Sequence, residues 1–428
     1  MNKFKKSLFP LFFVIFMDNF GFGVIFNMLP TVFLDTHFHL LPLGASTTSR
    51  NIFLAITFGV FPLTQLMGAP LIGDFADHFG RKKALYVTIL AVTIGYIISG
   101  LAISINSLSL LIISRLLTGF FAGNLSICLA AIADMSPNEK GRARNFSHVT
   151  TIFGFSWILA MVISGYISDP AYLGNHGPTT VFLVTALFSF LSYLAVKFFF
   201  SETFECKGGG KFDLLKGIKN VGEALALKKV RSLFVAYFFW VIGWGMVMQW
   251  FPAYSMEVYR VTPLTTTTWM TIFGVSWTLG SSLLNNLLLK KFHSITIAVI
   301  GSSLSALCLL LNIFLPWFEV FCIVIAVGSI FSAFTMCNTM NLTSMAAPPD
   351  VQGKVMGLSQ SIMSFGWLIS SGLAILLVRG DIHLILWSTT INLAGAFIVL
   401  ALIYLAHRLR HDNEEPLKKS TFVDHQQD

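Results

Sequence analysis

The chain has 428 residues, of which only 11% are charged, against roughly 25% in soluble globular proteins. Its hydrophobic fraction is 55% and its aromatic fraction 14%, with 42 phenylalanines. So few charges cannot coat so much apolar surface, which excludes a soluble enzyme, a disordered chain and a nucleic-acid-binding module, and makes the formal charge of +8 a topological signal first.

Apolar stretches of about 18 or more residues are long enough to cross a bilayer. In chain order, spans 1 to 4 are predicted at 8–30, 51–72, 84–105 and 108–133. Spans 5 to 8 follow at 146–168, 179–200, 232–256 and 266–289, and spans 9 to 12 at 294–315, 318–344, 355–378 and 384–406. Only Ile105–Ser109 separates spans 3 and 4. The first span exceeds the 7–15-residue core typical of signal peptides, and no small-x-small cleavage site follows it.

Basic residues set the orientation. With the N-terminus inside, 24 of the 28 Lys and Arg lie on the inner side; Arg50, Arg260 and Arg379 lie outside, and Arg115 lies within a span. Positive charge concentrates on the cytoplasmic side, so both termini are expected in the cytoplasm. The five cysteines fall in spans or in the inner loop, so no disulfide framework is implied.

Two segments of the chain repeat. Gly21-Phe22-Gly23, Asn27 and Pro30 of span 1 match Gly243-Trp244-Gly245, Gln249 and Pro252 of span 7 at a constant offset of 222. Pro137 to Arg142 match Pro349 to Lys354, and Phe153-Gly154 match Phe365-Gly366, at an offset of 212. The predicted fold is all-α: twelve transmembrane helices in two pseudo-symmetric six-helix bundles, a construction that places a site between the halves. The expected parts are bundle 1–200, a cytoplasmic linker 201–231, bundle 232–406 and a cytoplasmic tail 407–428. The linker carries Gly208-Gly209-Gly210 and an amphipathic stretch from Phe212 to Leu227; the tail from His407 reads as disordered.

Charges inside the hydrocarbon are costly and therefore candidates for function. Asp18 sits about ten residues into span 1, roughly 15 Å from the inner surface, and Arg115 roughly 20 Å from it in span 4. Spans 7 to 12 hold no interior charge. Burial favours a neutral carboxyl and a nearby guanidinium favours a charged one. An aspartate between these influences can take up and release a proton; the same pair could instead be an ion pair that pins two helices. The ten histidines show no zinc-ligand spacing, and Gly208-Gly209-Gly210-Lys211 runs into Phe212, so no metal site, phosphate loop or cofactor is expected.

The loop between spans 2 and 3 reads Gly73-Asp74-Phe75-Ala76-Asp77-His78-Phe79-Gly80-Arg81-Lys82-Lys83. It resembles the G-x-x-x-D-x-x-G-R-K/R signature of the major facilitator superfamily through Gly73, Asp77, Gly80, Arg81 and Lys82; His78 stands where the family usually has Arg. Arg115-x-x-x-Gly119-x-x-x-Gly123 resembles the family's fourth-span motif, whose Arg is linked to proton transfer. Asp18 ahead of Gly21, Gly23 and Pro30 is similar to the first span of twelve-span drug:proton antiporters, tetracycline efflux proteins among them. Ile132 to Pro137 with Arg142-Ala143-Arg144, and Ser201-Glu202-Thr203, resemble their 4–5 loop and span 6 exit. Span 5 departs, with Ala160-Met161 and Ser164-Gly165 in place of Gly-Pro and Gly-Gly, and the second copy of the 2–3 loop motif, near Leu288–Ser294, has decayed to two lysines.

The resemblance, which covers nearly the whole chain, implies a non-enzymatic, monomeric, proton-coupled transporter of the bacterial inner membrane. It would work by alternating access and export a small amphipathic organic compound or drug. The alternative is a proton symporter importing a nutrient or siderophore-like metabolite. Asp77 would cap the start of span 11 near Lys354 and Gly357, and Arg81 would pair with Asp134. Spans 1, 4, 7 and 10 would line the cavity, making Phe22, Trp240, Trp244, Gln249, Asn338 and Asn341 the substrate-binding candidates.

Overall fold

A computed structural model describes residues 3–423, except 36, 43, 137–138, most of 204–229 and 347–351. At some helical positions, among them Asp77, Asp134, Lys354 and Gly357, only the backbone is described. Twelve helices are long and apolar enough to cross a membrane. They match the predicted spans with shifts of a few residues at their ends, as hydropathy alone allows.

Span 1 is the helix Lys3–Leu34, span 2 is Thr47–Phe79 and span 3 is Arg81–Ser104. Spans 3 and 4 separate where Asn106 adopts φ 55, a left-handed conformation that ends a helix. Ser107 then caps span 4 by accepting from the backbone N–H of Leu110. Span 4 is broken. Its outer part is Leu108–Phe120, its inner part Asn124–Met135, and Phe121 to Gly123 between them are not helical.

Spans 5, 6 and 7 are Glu139–Ser168, Gly177–Phe199 and Arg231–Val258. Span 8 begins as Pro263–Thr278, passes through a π-helical turn at Leu279–Leu284 and finishes as Asn285–Leu289. Spans 9, 10 and 11 are Ser294–Asn312, Phe318–Ala346 and Gln352–Gly380. The last helix runs Leu384–Val423 and so continues past the apolar run. The tail expected to be disordered therefore starts as helix. The amphipathic stretch expected in the linker lies almost wholly outside the described residues.

The two halves pack through spans 1 on 7, 2 on 11, and 5 on 8. Small residues make the close approaches. A Cβ on Gly165 of span 5 would lie 2.0 Å from Thr267 of span 8, and one on Gly154 would lie 2.4 Å from Thr278. The largest apolar core fills the space between the halves, and a second one lies around Leu11, Ile15, Ile72 and Leu85. Large apolar side chains such as Ile94, Leu187, Leu307, Ile391 and Leu402 are exposed on the outside of the bundle, as contact with lipid requires.

The repeat is visible in hydrogen bonds. Asn27 of span 1 donates to Ser164 of span 5 at 3.4 Å, and Gln249 of span 7 donates to Ser371 of span 11 at 3.2 Å. Likewise Gly23 faces Trp157 and Ala160 of span 5, while Gly245 faces Trp367 of span 11.

Candidate functional site

Asp18 faces the inner part of span 4. The Asn124 side-chain amide donates to its carboxylate at 2.9 Å, and the Asn124 oxygen accepts from the Thr88 hydroxyl of span 3. Asn124 and Thr88 are almost fully buried, so each amide group of Asn124 has a partner, as a buried amide requires. Asn124 is the first residue after the break in span 4. It is nine positions from Arg115, roughly 13 Å along an ideal helix.

Asp18 and Arg115 therefore do not meet. No ion pair joins them among the described residues. The arithmetic of depth set them within reach, but Asp18 is level with Asn124. Tyr96 of span 3 stands within electrostatic reach of both. Its hydroxyl abuts Gly21: a Cβ there would fall 2.0 Å from the oxygen, so only glycine admits the ring.

Arg115 is 2% exposed, and its guanidinium lies over the Phe61 ring, 4.7 Å from the centroid. It borders a cavity of about 250 Å³ between the halves, together with Phe22 and Phe26 of span 1, Phe61 of span 2, Gln249 of span 7 and Trp367 of span 11. The structure thus brings together three of the residues singled out from sequence: Phe22, Arg115 and Gln249.

The other candidates lie elsewhere. Trp244 stacks on Trp277 at 5.9 Å, Trp240 meets the same ring at a tilt at 5.8 Å, and the Trp240 ring N–H donates to Ser332 at 2.8 Å. Asn338 donates to Asn285 at 2.6 Å, just past the π turn of span 8. Asn341 donates to Ser294 at the start of span 9, at 3.0 Å, and so turns toward span 9. Sequence reasoning missed Tyr96, Asn124, Phe61 and Trp367. Trp367 alone carried a signal, since it follows the repeated Phe365-Gly366.

A model of the Major Facilitator Superfamily matches residues 11–318 and 282–425. The chain belongs to this superfamily. Similar curated proteins include a class B tetracycline resistance protein of Escherichia coli, 28% identical over 187 residues, which are 44% of this chain and 42% of that protein. A class H tetracycline resistance protein of Pasteurella multocida is 25% identical over 46% of this chain and 45% of its own length. A quinolone resistance protein of Staphylococcus aureus is 25% identical over 39% of this chain and 40% of its own length. The matched stretch thus spans less than half of each relative. Among solved structures, a D-xylose-proton symporter superposes with a TM-score of 0.70 at 15% identity, over 92% of this chain and 97% of that one. The human organic anion transporter MFSD10 gives 0.71 at 15% identity, over 94% and 100%. These likenesses establish the fold.

The superfamily's 2–3 loop motif takes a defined shape here. Gly80 has φ 93, a conformation that suits glycine, and its N–H closes span 2 on the Ala76 carbonyl. Glu202, beyond span 6, then caps span 3: its carboxylate accepts from the backbone N–H groups of Arg81 at 3.1 Å and Lys82 at 2.9 Å. An anion is favourable at a helix N-terminus. The Lys82 ammonium donates to the Lys197 carbonyl in the last turn of span 6 at 3.2 Å. The expected contacts of Asp77 with span 11 and of Arg81 with Asp134 depend on side chains outside the described residues. Gly73 of the motif makes no close helix approach among the described residues: a Cβ there would meet no described atom within 4 Å. The close approach falls instead at Gly68, where a Cβ would lie 1.9 Å from the Phe120 carbonyl, at the break in span 4.

Proposed function

We propose that this chain is a proton-coupled secondary transporter that exports a small amphipathic organic compound by alternating access. The observation that carries the reading is Asp18, a carboxylate within a span, held by Asn124 at the break of span 4. Its carboxylate is only partly buried and accepts from the Asn124 amide, so its surroundings can change as the halves move. A group placed in this way can carry a proton in one arrangement of the halves and yield it in the other. The tetracycline and quinolone resistance proteins among the relatives support export of drug-like molecules. The division into bundles 1–200 and 232–406 joined by a cytoplasmic linker, the inner-membrane location and the cytoplasmic termini belong to the same proposal.

Asp18→Asn in everted vesicles tests it, with tetracycline and norfloxacin as probes. Uphill transport driven by a pH gradient should be abolished while some binding persists. Unimpaired uphill transport by Asp18→Asn would remove the coupling role.

A second reading, proton symport inward, is favoured by span 5. Its glycine pairs are replaced by Ala160, which packs on Gly23, and by Ser164, which accepts from Asn27. Whole-cell uptake that collapses with an uncoupler identifies import; accumulation that rises with an uncoupler identifies export.

A further inference from the structure

Arg115 is a buried charge with unfinished hydrogen bonding. Its Nε and one terminal nitrogen are buried and have no hydrogen-bond partner. One face of the guanidinium is taken by the Phe61 ring, a cation–π contact that leaves the N–H edge untouched. No acidic side chain lies within ion-pair distance among the described residues, and Asp18 is engaged by Asn124. Leaving the donors of a buried charge open is expensive. At a cavity wall, the group that completes them is most simply the ligand.

The remaining walls limit what that ligand is. Gln249 is the other polar side chain at the cavity, and it is already occupied: it donates to Ser371 at 3.2 Å and accepts from Ser370 at 3.2 Å. The open polar group at this cavity is therefore a guanidinium with unpartnered N–H donors, which matches a carboxylate in charge. The rest is ring. Trp367 lies 5.6 Å from Phe22 and 5.4 Å from Phe26, each pair joining span 11 of one half to span 1 of the other.

We propose that the cavity between the halves, once opened, binds an aromatic acid. Its carboxylate sits on the open N–H groups of Arg115, and its ring packs against the Phe22, Phe61 and Trp367 rings that line the cavity. Such a ligand touches both halves at once, so its arrival and departure act on the contact that alternating access must break. The inference rests on the cavity being the transport path, and it is independent of whether the acid moves with or against the proton.

The test is equilibrium binding to the purified full-length protein in nanodiscs, without any gradient. The probes are 1-naphthoate and its uncharged isostere 1-naphthamide. Expected is at least tenfold tighter binding of the acid, a preference reduced to within twofold by Arg115→Gln and partly kept by Arg115→Lys. Trp367→Leu should weaken both probes at least fivefold, with their ratio unchanged. Equal affinity of acid and amide overturns the proposal. So does no binding of the acid at millimolar concentration, or a preference that survives Arg115→Gln. The acid-to-amide ratio on the unmodified protein decides the matter even if a variant fails to fold. Because binding is read without a gradient, an uncoupled result for the proton site leaves this site standing, and the reverse holds too.

Discussion

Two hydrogen bonds clasp the halves on the side that the sparse basic residues predict to be external. Asn27 of span 1 donates to Thr267 of span 8 at 2.7 Å, and Asn51 of span 2 donates to the Glu257 carboxylate of span 7 at 2.8 Å. Opening this side must break both. The first is a buried neutral bond worth about 1 kcal/mol, the second a bond to a charged group worth about 1.5–3 kcal/mol. Together they hold this arrangement by roughly 2.5–4 kcal/mol, a factor of roughly 60 to 700 in population at 1.4 kcal/mol per tenfold. Water reaching Glu257 returns part of that, so a shift toward the lower bound is expected. The assay uses Ile25→Cys, on the cavity wall and 3% exposed, in a background with the five native cysteines replaced. In right-side-out vesicles, Asn27→Ala with Asn51→Ala should raise its labelling by an impermeant maleimide at least tenfold. Labelling within twofold of the parent would refute the clasp as the element that holds the outer side shut.

Gly21→Ala forces the Tyr96 hydroxyl away from span 1; uphill transport should fall at least tenfold in proteoliposomes, with a stability loss of about 1–3 kcal/mol in thermal unfolding. Gln65 of span 2 donates to the Ala122 carbonyl freed by the break of span 4 and accepts from Ser364 of span 11. Gln65→Leu should therefore uncouple the halves from Asp18: pH-driven accumulation of substrate is lost while exchange at equal pH persists, and loss of both would mean simple misfolding. Glu202→Ala removes the cap of span 3. Because Glu202 is exposed, the expected cost is at the low end for a cap, about 0.5–1 kcal/mol, read as a lowered melting temperature with transport retained.

Hydropathy made the spans legible, since length and apolarity are what crossing a bilayer demands. Even the narrow separation of spans 3 and 4 was visible, although the residue that makes it, Asn106, carries no signal beyond its tolerance of positive φ. What hydropathy could not show was the break in span 4. Gly119 and Gly123 marked the place, but the non-helical turn coexists with contacts from span 2: Gly68 pressed against the Phe120 carbonyl and Gln65 on the Ala122 carbonyl. Depth counted from the ends of the apolar runs sets Arg115 near Asp18, whereas the observed partner is Asn124, a residue with no charge to draw attention to it. Asn338 and Asn341, both read as substrate-binding candidates, bond to different spans, because an amide in an apolar bundle turns to whichever polar partner is in reach.

The equivalent amides of the two halves show how a repeat can divide its labour. Asn27 and Gln249 occupy matching positions, and each bonds to a serine on the fifth helix of its own half. Asn27 also reaches Thr267 on the opposite half, so it serves the external clasp. Gln249 borders the cavity, opposite Arg115, and spends its amide on Ser370 and Ser371. Its longer side chain lets one helix position serve the cavity wall while its counterpart serves the closure. The second half, with no charge inside its spans, then offers the cavity a satisfied amide and an indole, and the first half supplies both the carboxylate and the unsatisfied cation. A ligand recognised by Arg115 and covered by Trp367 is bound only when the two unlike halves are close, which ties occupancy of the cavity to their separation.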